Sequence, residues 1–291
     1  MTMHITFSNP YPPGSLKTLL EDHLLIPRKI RHFLRTKKHV LVNGQHLHWQ
    51  SLVRPGDQIE LFFDAADYPK RDLPFGQADL VQAVYEDDHI IIVNKPEGMK
   101  THGNAPGEVA LLNHVSAYVG QVCHVVHRLD KETSGLVLFA KTPFILPILG
   151  RLLESKAIQR DYWALVEGCP PKSLTVTAPI GRHRHDRRKR VVDPKNGDWA
   201  RTRFSRLKNQ AKVSLLRCQL DSGRTHQIRV HLSHKGFPII GDPLYSQHQA
   251  PRLMLHAYRL RLTHPLTAQV IDVQADSLTF ENQLQHFLPK N

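Results

Sequence analysis

The pattern of apolar and polar positions predicts two regions of different character. Near the N-terminus, leucines in the range 16–24 recur at helical spacing, and Pro27 is suited to the first turn of a second helix. Residues 40–49 predict a short hairpin around the turn Asn43-Gly44, and the alternation over residues 59–62 predicts a strand. These elements predict a small domain over residues 13–63.

A different texture begins at Asp79, after a segment over residues 64–78 that is expected to be a linker because it contains Pro69 and Pro74. Apolar runs predict strands at 81–84, 90–93, 136–140, 162–166, 213–220 and 253–262. Helices are predicted at 111–118, 145–154 and 225–234. The mixture predicts an α+β domain over residues 79–291, built on an antiparallel or mixed sheet.

The excess of positive charge, and its clustering along the chain, indicate the class of partner that the protein binds. The chain carries 39 Lys+Arg against 26 Asp+Glu, a net charge of +13, which favours a polyanion such as nucleic acid. Residues 181–206 hold ten Lys/Arg and three Asp, and are interpreted as an arm that contacts phosphates. The candidate RNA-binding residues are Arg28, Lys29, Arg31, Arg35, Lys37 and Lys38 on the second helix, and Arg187, Arg188, Lys189 and Arg190 in the arm.

Several other classes of protein lack support in the sequence. The cysteines Cys123, Cys169 and Cys218 are odd in number and widely spaced, so they suggest neither a disulfide framework nor a zinc site. The first fifteen residues lack the pattern of a signal peptide, and no apolar run is long enough to span a membrane. A soluble, cytoplasmic protein is expected.

The run 127–135 (HRLDKETSG) places Asp130 on a connection between two strand-like segments. An aspartate there is either a turn former or a functional group, and the run alone does not decide between them. Two distant segments favour function. One is a loop that opens into a helix and carries Arg224, Gln227 and Arg229, and the other is a strand that carries Tyr162.

Five segments in a fixed order make the chain resemble a known family. They are the runs 94–98 (NKPEG), 127–135 (HRLDKETSG), 162–168 (YWALVEG), 223–231 (GRTHQIRVH) and 241–245 (GDPLY). Over about residues 79–265 this series resembles the RNA pseudouridine synthases that modify large-subunit ribosomal RNA and transfer RNA. The basic helix and hairpin of the first region resemble the RNA-binding domain shared by a small-subunit ribosomal protein and bacterial tyrosyl-tRNA synthetases.

The resemblance implies a pseudouridine synthase fold, with a long, mainly antiparallel mixed sheet and a central basic cleft. It implies cleavage of the uridine N-glycosidic bond, rotation of the base and reattachment through carbon 5, with no cofactor and no metal. Ribosomal RNA is favoured over transfer RNA as the substrate, and a monomer is expected. Lys100-Thr101-His102-Gly103 departs from the family's usual aliphatic pair and His-Pro, and Arg160 stands where Lys is common.

The resemblance also implies roles for individual residues. Asp130 would be ionised at neutral pH and would attack the ribose, add to carbon 6 of the base, or assist removal of a sugar proton; these three alternatives stay open. Arg229 would pair with Asp130, and Tyr162 would stack on the target base and help to remove the carbon-5 proton. Arg128 would fill the space that the base leaves, and the remaining cleft candidates are Arg224, His226 and Gln227.

Three competing hypotheses have weaker support. A retaining glycoside hydrolase needs a second carboxylate, and only Glu132 is near Asp130 in sequence. A metal-dependent hydrolase could use Cys123, His124 and His127, or His183 and His185, although these spacings match no standard site. An RNA-binding protein without catalytic activity would explain the charge and the first domain, but not the ordered series of motifs.

Overall fold

The computed structural model describes residues 3–69, 71–105 and 107–289. Its N-terminal unit packs short helices on a small antiparallel sheet. In chain order the elements are β1 (Met3–Ser8), β2 (Gly14–Ser15), α1 (Leu16–Thr18), a π-helical turn (Leu19–His23), α2 (Arg28–Thr36), β3 (Val40–Val42), β4 (Leu52–Val53) and β5 (Gln58–Phe63).

Two details of this unit differ from the sequence-based expectation. Strand β1 lies before the predicted start at residue 13, yet it pairs with β5 along its whole length and buries Ile5 and Phe7, so the sheet requires it. The predicted hairpin is half right. Asn43 and Gly44 form the turn with φ of 51° and 75°, but β3 takes β5 as its main partner, and the region of Leu47 forms no strand.

The larger unit alternates strands with helices. Its elements are a 3-10 turn (Ala78–Leu80), β6 (Ala83–Glu86), β7 (Ile90–Lys95), α3 (Leu111–Val119), β8 (His124–Val125), β9 (Ser134–Ala140), α4 (Leu146–Glu154), β10 (Gln159–Glu167), β11 (Ser173–Thr177), β12 (Ile180–Arg182), β13 (Arg190–Val192), β14 (Arg201–Gln210), β15 (Val213–Leu220), α5 (Gln227–His234), β16 (Leu255–Thr263), β17 (Val270–Gln274) and α6 (Leu278–Phe287).

Most of these strands form one twisted sheet. Its order is β11-β14-β15-β10-β16-β9-β7-β6, with β17 paired to β16 and β8 paired to β9. The β9–β16 contact is parallel and the other pairs are antiparallel, as the predicted mixed, mainly antiparallel sheet requires. The predicted α+β fold is confirmed. The basic segment after residue 181 starts as the β12–β13 hairpin and ends as β14 of the sheet.

The parallel contact joins the two halves of the sheet where β9 begins. Gly135 has a φ of +117°, and a Cβ on it would lie 2.3 Å from the carbonyl oxygen of Ala257. Only glycine permits this approach, because any side chain would meet the backbone of β16. The contact fixes the start of β9, and therefore the end of the loop that carries Asp130.

The N-terminal unit packs against the sheet and α4. Its buried side chains belong to the same apolar cluster as residues of β7, β9 and α4. Phe63 lies against Phe144, with ring centroids 5.5 Å apart. Arg151 of α4 also donates hydrogen bonds to the backbone carbonyls of Asp22 and His23. Among the residues that the structure describes, no helix has the length and apolarity needed to cross a membrane.

Candidate active site

The loop between β8 and β9 holds Asp130 in a tight turn, in which the backbone N–H of Thr133 donates to the carbonyl of Asp130 at 3.1 Å. Side chains from outside the loop fix it. The buried hydroxyl of Thr101 donates to the carbonyl of Leu129 at 3.0 Å and accepts from its N–H at 3.1 Å. Lys95 donates to the carbonyl of Lys131 at 3.2 Å. The backbone on both sides of Asp130 is thus held in place.

Lys95 and Thr101 lie in or beside the NKPEG run, which explains why that run accompanies the aspartate loop. Lys95 is fully buried and also donates to the carbonyls of Pro96 and Met99, both at 2.8 Å. Burial lowers the pKa of Lys95 to about 8, although the nearby carboxylates, Asp130 first, act to raise it. Thr101, at the point of departure from the family pattern, holds the backbone beside Asp130, a contact that the sequence reasoning did not identify.

Arg229 is the predicted charge partner of Asp130. Its Nη1 donates to Asp130 Oδ2 at 3.1 Å, so the pair expected from the resemblance is present. Its Nε and Nη2 donate to the two carboxylate oxygens of Asp242, each at 2.8 Å. The Arg229 side chain is 1% exposed, whereas that of Asp130 is 17% exposed and reaches the cleft. Arg229 therefore bridges a fully buried carboxylate and a partly open one.

Asp242 is the second residue that the sequence reasoning left without a role. Its Oδ1 also accepts from the backbone N–H groups of Leu244 and Tyr245, at 2.9 and 3.2 Å. Burial alone would lower the pKa of Arg229, but the hydrogen bonds and charges of Asp242 and Asp130 raise it overall. Arg229 stays charged, so it can hold and orient the Asp130 carboxyl group. The signal for Asp242 was its place in the GDPLY motif.

Tyr162 lies on β10 at a local irregularity of the sheet. The register between β10 and β16 shifts between Asp161 and Trp163, and such bulges redirect a side chain at functional sites. The ring is buried and lines the same cavity as Asp130. Burial raises the pKa of Tyr162, although the charge of Arg160 acts to lower it. The phenol is therefore protonated at neutral pH.

His226, at the start of α5, lies near the same carboxylate oxygen of Asp130 that Arg229 binds. Its Nε2 is 3.8 Å from Asp130 Oδ2, and its Nδ1 shares a 2.9 Å hydrogen bond with the hydroxyl of Tyr245. That hydroxyl also accepts from the backbone N–H of Arg190 at 2.7 Å, which ties the β12–β13 hairpin to the aspartate. Burial lowers the pKa of His226, although Asp130 acts to raise it, so the imidazole is neutral at neutral pH.

The remaining cleft candidates line a cavity of about 280 Å³ above Asp130. Arg128 is exposed there and can reach toward solvent. Arg224 lies on the rim, where its Nε donates to the carbonyl of Trp199 at 3.2 Å. Gln227 is buried, with its amide bound to Arg201, Thr202, Ser222 and the backbone of Arg224, so it shapes the loop around the cavity.

The arm continues the basic surface outward from this cavity. Arg187, Arg188 and Arg190 line an adjoining cavity of about 680 Å³ together with Arg128 and Asp130. Lys189 does not line it and lies half-buried in the hairpin. Three of the four predicted arm residues thus lie beside the candidate catalytic residues.

The six basic residues predicted on the second helix lie on the N-terminal unit, but α2 ends at Thr36, so Lys37 and Lys38 follow the helix rather than belong to it. Two of the six are engaged by carboxylates. Arg31 is paired with Glu21, and Lys37 is paired with Asp64. The others are exposed and form no salt bridge within the described residues: Arg28, Lys29, Arg35 and Lys38. Arg28, Arg31, Arg35 and Lys38 line a groove against residues 46–50.

The side chains considered for a metal do not form a cluster. Within the described ranges, no group of three or more His, Cys, Asp or Glu side chains is arranged to hold an ion. Cys123 is buried in an apolar cluster. His127 is buried, and its Nε2 accepts from the backbone N–H of Leu138 at 3.2 Å. Burial lowers the pKa of His127 to about 3, so it is a neutral structural group.

Comparisons with known proteins agree with this geometry. Residues 89–234 match the family described as RNA pseudouridylate synthase, and residues 3–59 match the RluD ribosomal pseudouridine synthase N-terminal domain. An uncharacterized RNA pseudouridine synthase, YhcT of Bacillus subtilis, is 36% identical over 89% of this chain and 88% of its own length. Ribosomal large subunit pseudouridine synthase D of Nitrosomonas europaea is 43% identical over 66% of this chain and 60% of its own.

A solved structure supports the fold. Human RNA pseudouridylate synthase domain containing 1 superposes with a TM-score of 0.60 at 24% identity, over 70% of this chain and 86% of that one. The family match includes the loop of Asp130 and helix α5 with Arg229, and a binding protein without catalysis finds no support in these relatives. The chain belongs to the RNA pseudouridine synthase family, a family of isomerases.

Proposed function

We propose that this enzyme converts uridines of large-subunit ribosomal RNA to pseudouridine, and that Asp130 is its catalytic carboxylate. The observation that carries the proposal is the Asp130–Arg229–Asp242 arrangement at the base of the cavity, with contacts of 3.1 and 2.8 Å. Several relatives are named for the large ribosomal subunit, which favours that RNA over transfer RNA.

The target uridine has to leave its stack before it can reach Asp130, at a cost of a few kcal/mol. The cavity of about 280 Å³ is of a size to take one base. We assign Arg128 to the space that the base vacates, because its side chain is exposed and lines both the 280 Å³ cavity and the adjoining one. Tyr162 forms part of the wall and would stack on the base, a contact worth about 1–3 kcal/mol.

Asp130 is prepared for reaction by an asymmetric environment. Arg229 binds Oδ2, while no side chain or backbone group among the described residues donates a hydrogen bond to Oδ1. One carboxylate oxygen is thus held and the other is free to meet the nucleotide. Attack on the ribose, addition to carbon 6 of the base and removal of a sugar proton all require an oriented carboxyl group at this position.

The proposal divides RNA binding between two surfaces. The N-terminal unit, taken as residues 3–63 so that β1 is included, would hold phosphates with the exposed basic residues of α2. Residues 64–78 connect it to the catalytic unit over residues 79–291, where the arm would hold RNA beside the cavity. A monomeric, cytoplasmic enzyme is part of the same proposal.

The experiment compares wild-type enzyme with Asp130→Asn on ribosomal RNA transcripts of the large and small subunits and on bulk transfer RNA. Pseudouridine is mapped at nucleotide resolution, and RNA affinity is measured separately. We expect conversion in the large-subunit transcript only, with Asp130→Asn inactive while its affinity is retained. Turnover by Asp130→Asn would refute the catalytic assignment, and conversion confined to transfer RNA would refute the substrate assignment.

A further inference from the structure

Trp199 is an exposed aromatic residue beside the cavity that holds Asp130. It is 49% exposed. Its carbonyl accepts the hydrogen bond from Arg224, a residue that lines the 280 Å³ cavity. Lys156, which follows α4, places its Nζ 5.6 Å from the centroid of the Trp199 ring, and Leu153 of the same helix lines the same cavity. Two elements that form the cavity wall therefore flank this ring.

The backbone around Trp199 is fixed although the ring is open to solvent. Asp198 and Ile180 exchange two backbone hydrogen bonds, at 2.9 and 3.0 Å, and the carbonyl of Ala200 accepts from the N–H of Ala178 at 3.1 Å. Ala200 itself is fully buried against Ile180 and Val230. The exposed ring on this fixed segment is therefore held in one place, where a nucleotide base could stack on it.

A third cavity of about 360 Å³ is lined by Asp198, the residue before Trp199, and by Arg224, which binds the Trp199 carbonyl. Arg182, Arg190 and Arg224 line it, with Asp198 as its carboxylate, 3.6 Å from Arg224. Arg224 also lines the cavity above Asp130, so the two cavities adjoin. Three guanidinium groups against one exposed carboxylate favour an anion such as a phosphate. An aromatic ring beside a phosphate site is the combination that holds an unpaired nucleotide.

We propose that Trp199 is the stacking platform for the base next to the target uridine, and that Arg182 and Arg224 bind the phosphate of that neighbour. The proposal rests on the cavity above Asp130 being the uridine site. When the target uridine leaves the helix, its neighbour loses a stacking partner, and the Trp199 ring supplies a new one. Trp199 therefore contributes to which RNA loop the enzyme accepts, without taking part in the bond changes.

The test uses the full-length enzyme and a short RNA stem-loop that the wild type modifies. Three forms of this RNA are made: the intact stem-loop, one with an abasic nucleotide on the 5′ side of the target uridine, and one with an abasic nucleotide on its 3′ side. Trp199→Ala should weaken binding of the intact RNA about 5- to 150-fold, the range for loss of one stack. On the abasic RNA that removes the stacked neighbour, wild type and Trp199→Ala should bind equally. Trp199→Phe should restore most of the affinity.

Tyr118→Ala is the matched control. Tyr118 is a similarly exposed aromatic residue on α3, a helix that lines none of these cavities, whereas Trp199 binds Arg224 of the cavity wall through its carbonyl. Thermal unfolding of each variant shows whether it folds. Equal binding of intact RNA by wild type and Trp199→Ala would overturn the proposal. So would a loss in Trp199→Ala that persists on both abasic RNAs. In either case, continued conversion by the wild type and its loss in Asp130→Asn would leave the proposed function standing.

Discussion

Arg229 in the cleft and Arg28 on α2 show two uses of the same side chain. Arg229 is buried, and its guanidinium is divided between Asp242 and Asp130 with contacts of 2.8 to 3.1 Å. Arg28 is exposed and forms no salt bridge within the described residues. Fixed geometry suits a group that must orient a reacting carboxylate, whereas a mobile, solvated charge suits phosphates whose positions vary. Net charge alone does not distinguish these two roles.

The same substitution at the two sites should give the largest contrast. Arg229→Met leaves Asp242 as a buried charge without its partner, so we expect a loss of about 3–5 kcal/mol in the free energy of unfolding and loss of conversion. Arg28→Met should change stability by less than about 0.5 kcal/mol, as is usual for exposed positions. Urea denaturation of both variants measures the contrast. A similar small effect at both sites would mean that the Arg229 pair is not buried in solution.

Loss of the Thr101 hydroxyl should have the next largest effect at neutral pH. Thr101→Val keeps the shape of the side chain but leaves the N–H and carbonyl of Leu129 without their partner, at a cost of about 1–3 kcal/mol. Because Leu129 adjoins Asp130, we expect single-turnover conversion to slow while RNA affinity is unchanged. Thr101→Ser, which keeps the hydroxyl, is the control. Equal rates for wild type and Thr101→Val would contradict a positioning role.

Acid sensitivity should come partly from His127. Its pKa is about 3 in the folded protein against 6.5 for an ordinary histidine, so between these values the unfolded chain binds the extra proton. The free energy of unfolding should therefore fall as the pH drops from 6.5 toward 3, by up to about 1.4 kcal/mol per pH unit. His127→Gln should be less stable at pH 7 but lose less stability on acidification. A parallel pH dependence in both proteins would disprove this origin.

The smallest effect on stability and on chemistry is expected on α2. Replacing Arg28, Lys29 and Arg35 by Gln should weaken RNA binding and reduce the slope of log K against log salt by about 2, since each phosphate that is no longer neutralised reduces it by about 0.7–0.9. Single-turnover conversion at saturating RNA should be unchanged, because Asp130 is untouched. Lys172, Lys208 and Lys212, replaced together by Gln, provide a charge-matched control. An unchanged slope in the α2 variant would remove this helix from the RNA interface.

Sequence patterns predicted a strand most accurately when most of its residues were apolar. Strand β15 has the predicted bounds, Val213–Leu220, because five of its eight residues are apolar and polar turns bound it on both sides. Strand β14 was missed because it alternates buried Thr202 and Phe204 with exposed arginines, and its charge resembles a loop. Strand β1 was missed although Ile5 and Phe7 alternate with polar residues, because its pairing partner lies about fifty residues away.

Only the contacts of the active site that the sequence motifs imply could be predicted. The Asp130–Arg229 contact was expected from the resemblance and is present at 3.1 Å. Asp242 was not assigned, because no local pattern indicates that a buried arginine needs a second carboxylate. Thr101 was noted only as a departure from the family, since its bonds to Leu129 depend on how two distant loops meet. Such long-range contacts are set by tertiary packing, which residue spacing does not encode.

The apolar cluster shared by the N-terminal unit and the large sheet has a mechanical consequence. Swinging the small unit away would expose Phe63 and Phe144 and break the bonds of Arg151 to the backbone of Asp22 and His23. The α2 surface and Asp130 are therefore held at a fixed distance from each other. An RNA would be accepted only if its fold places the bound phosphates and the target uridine at that distance.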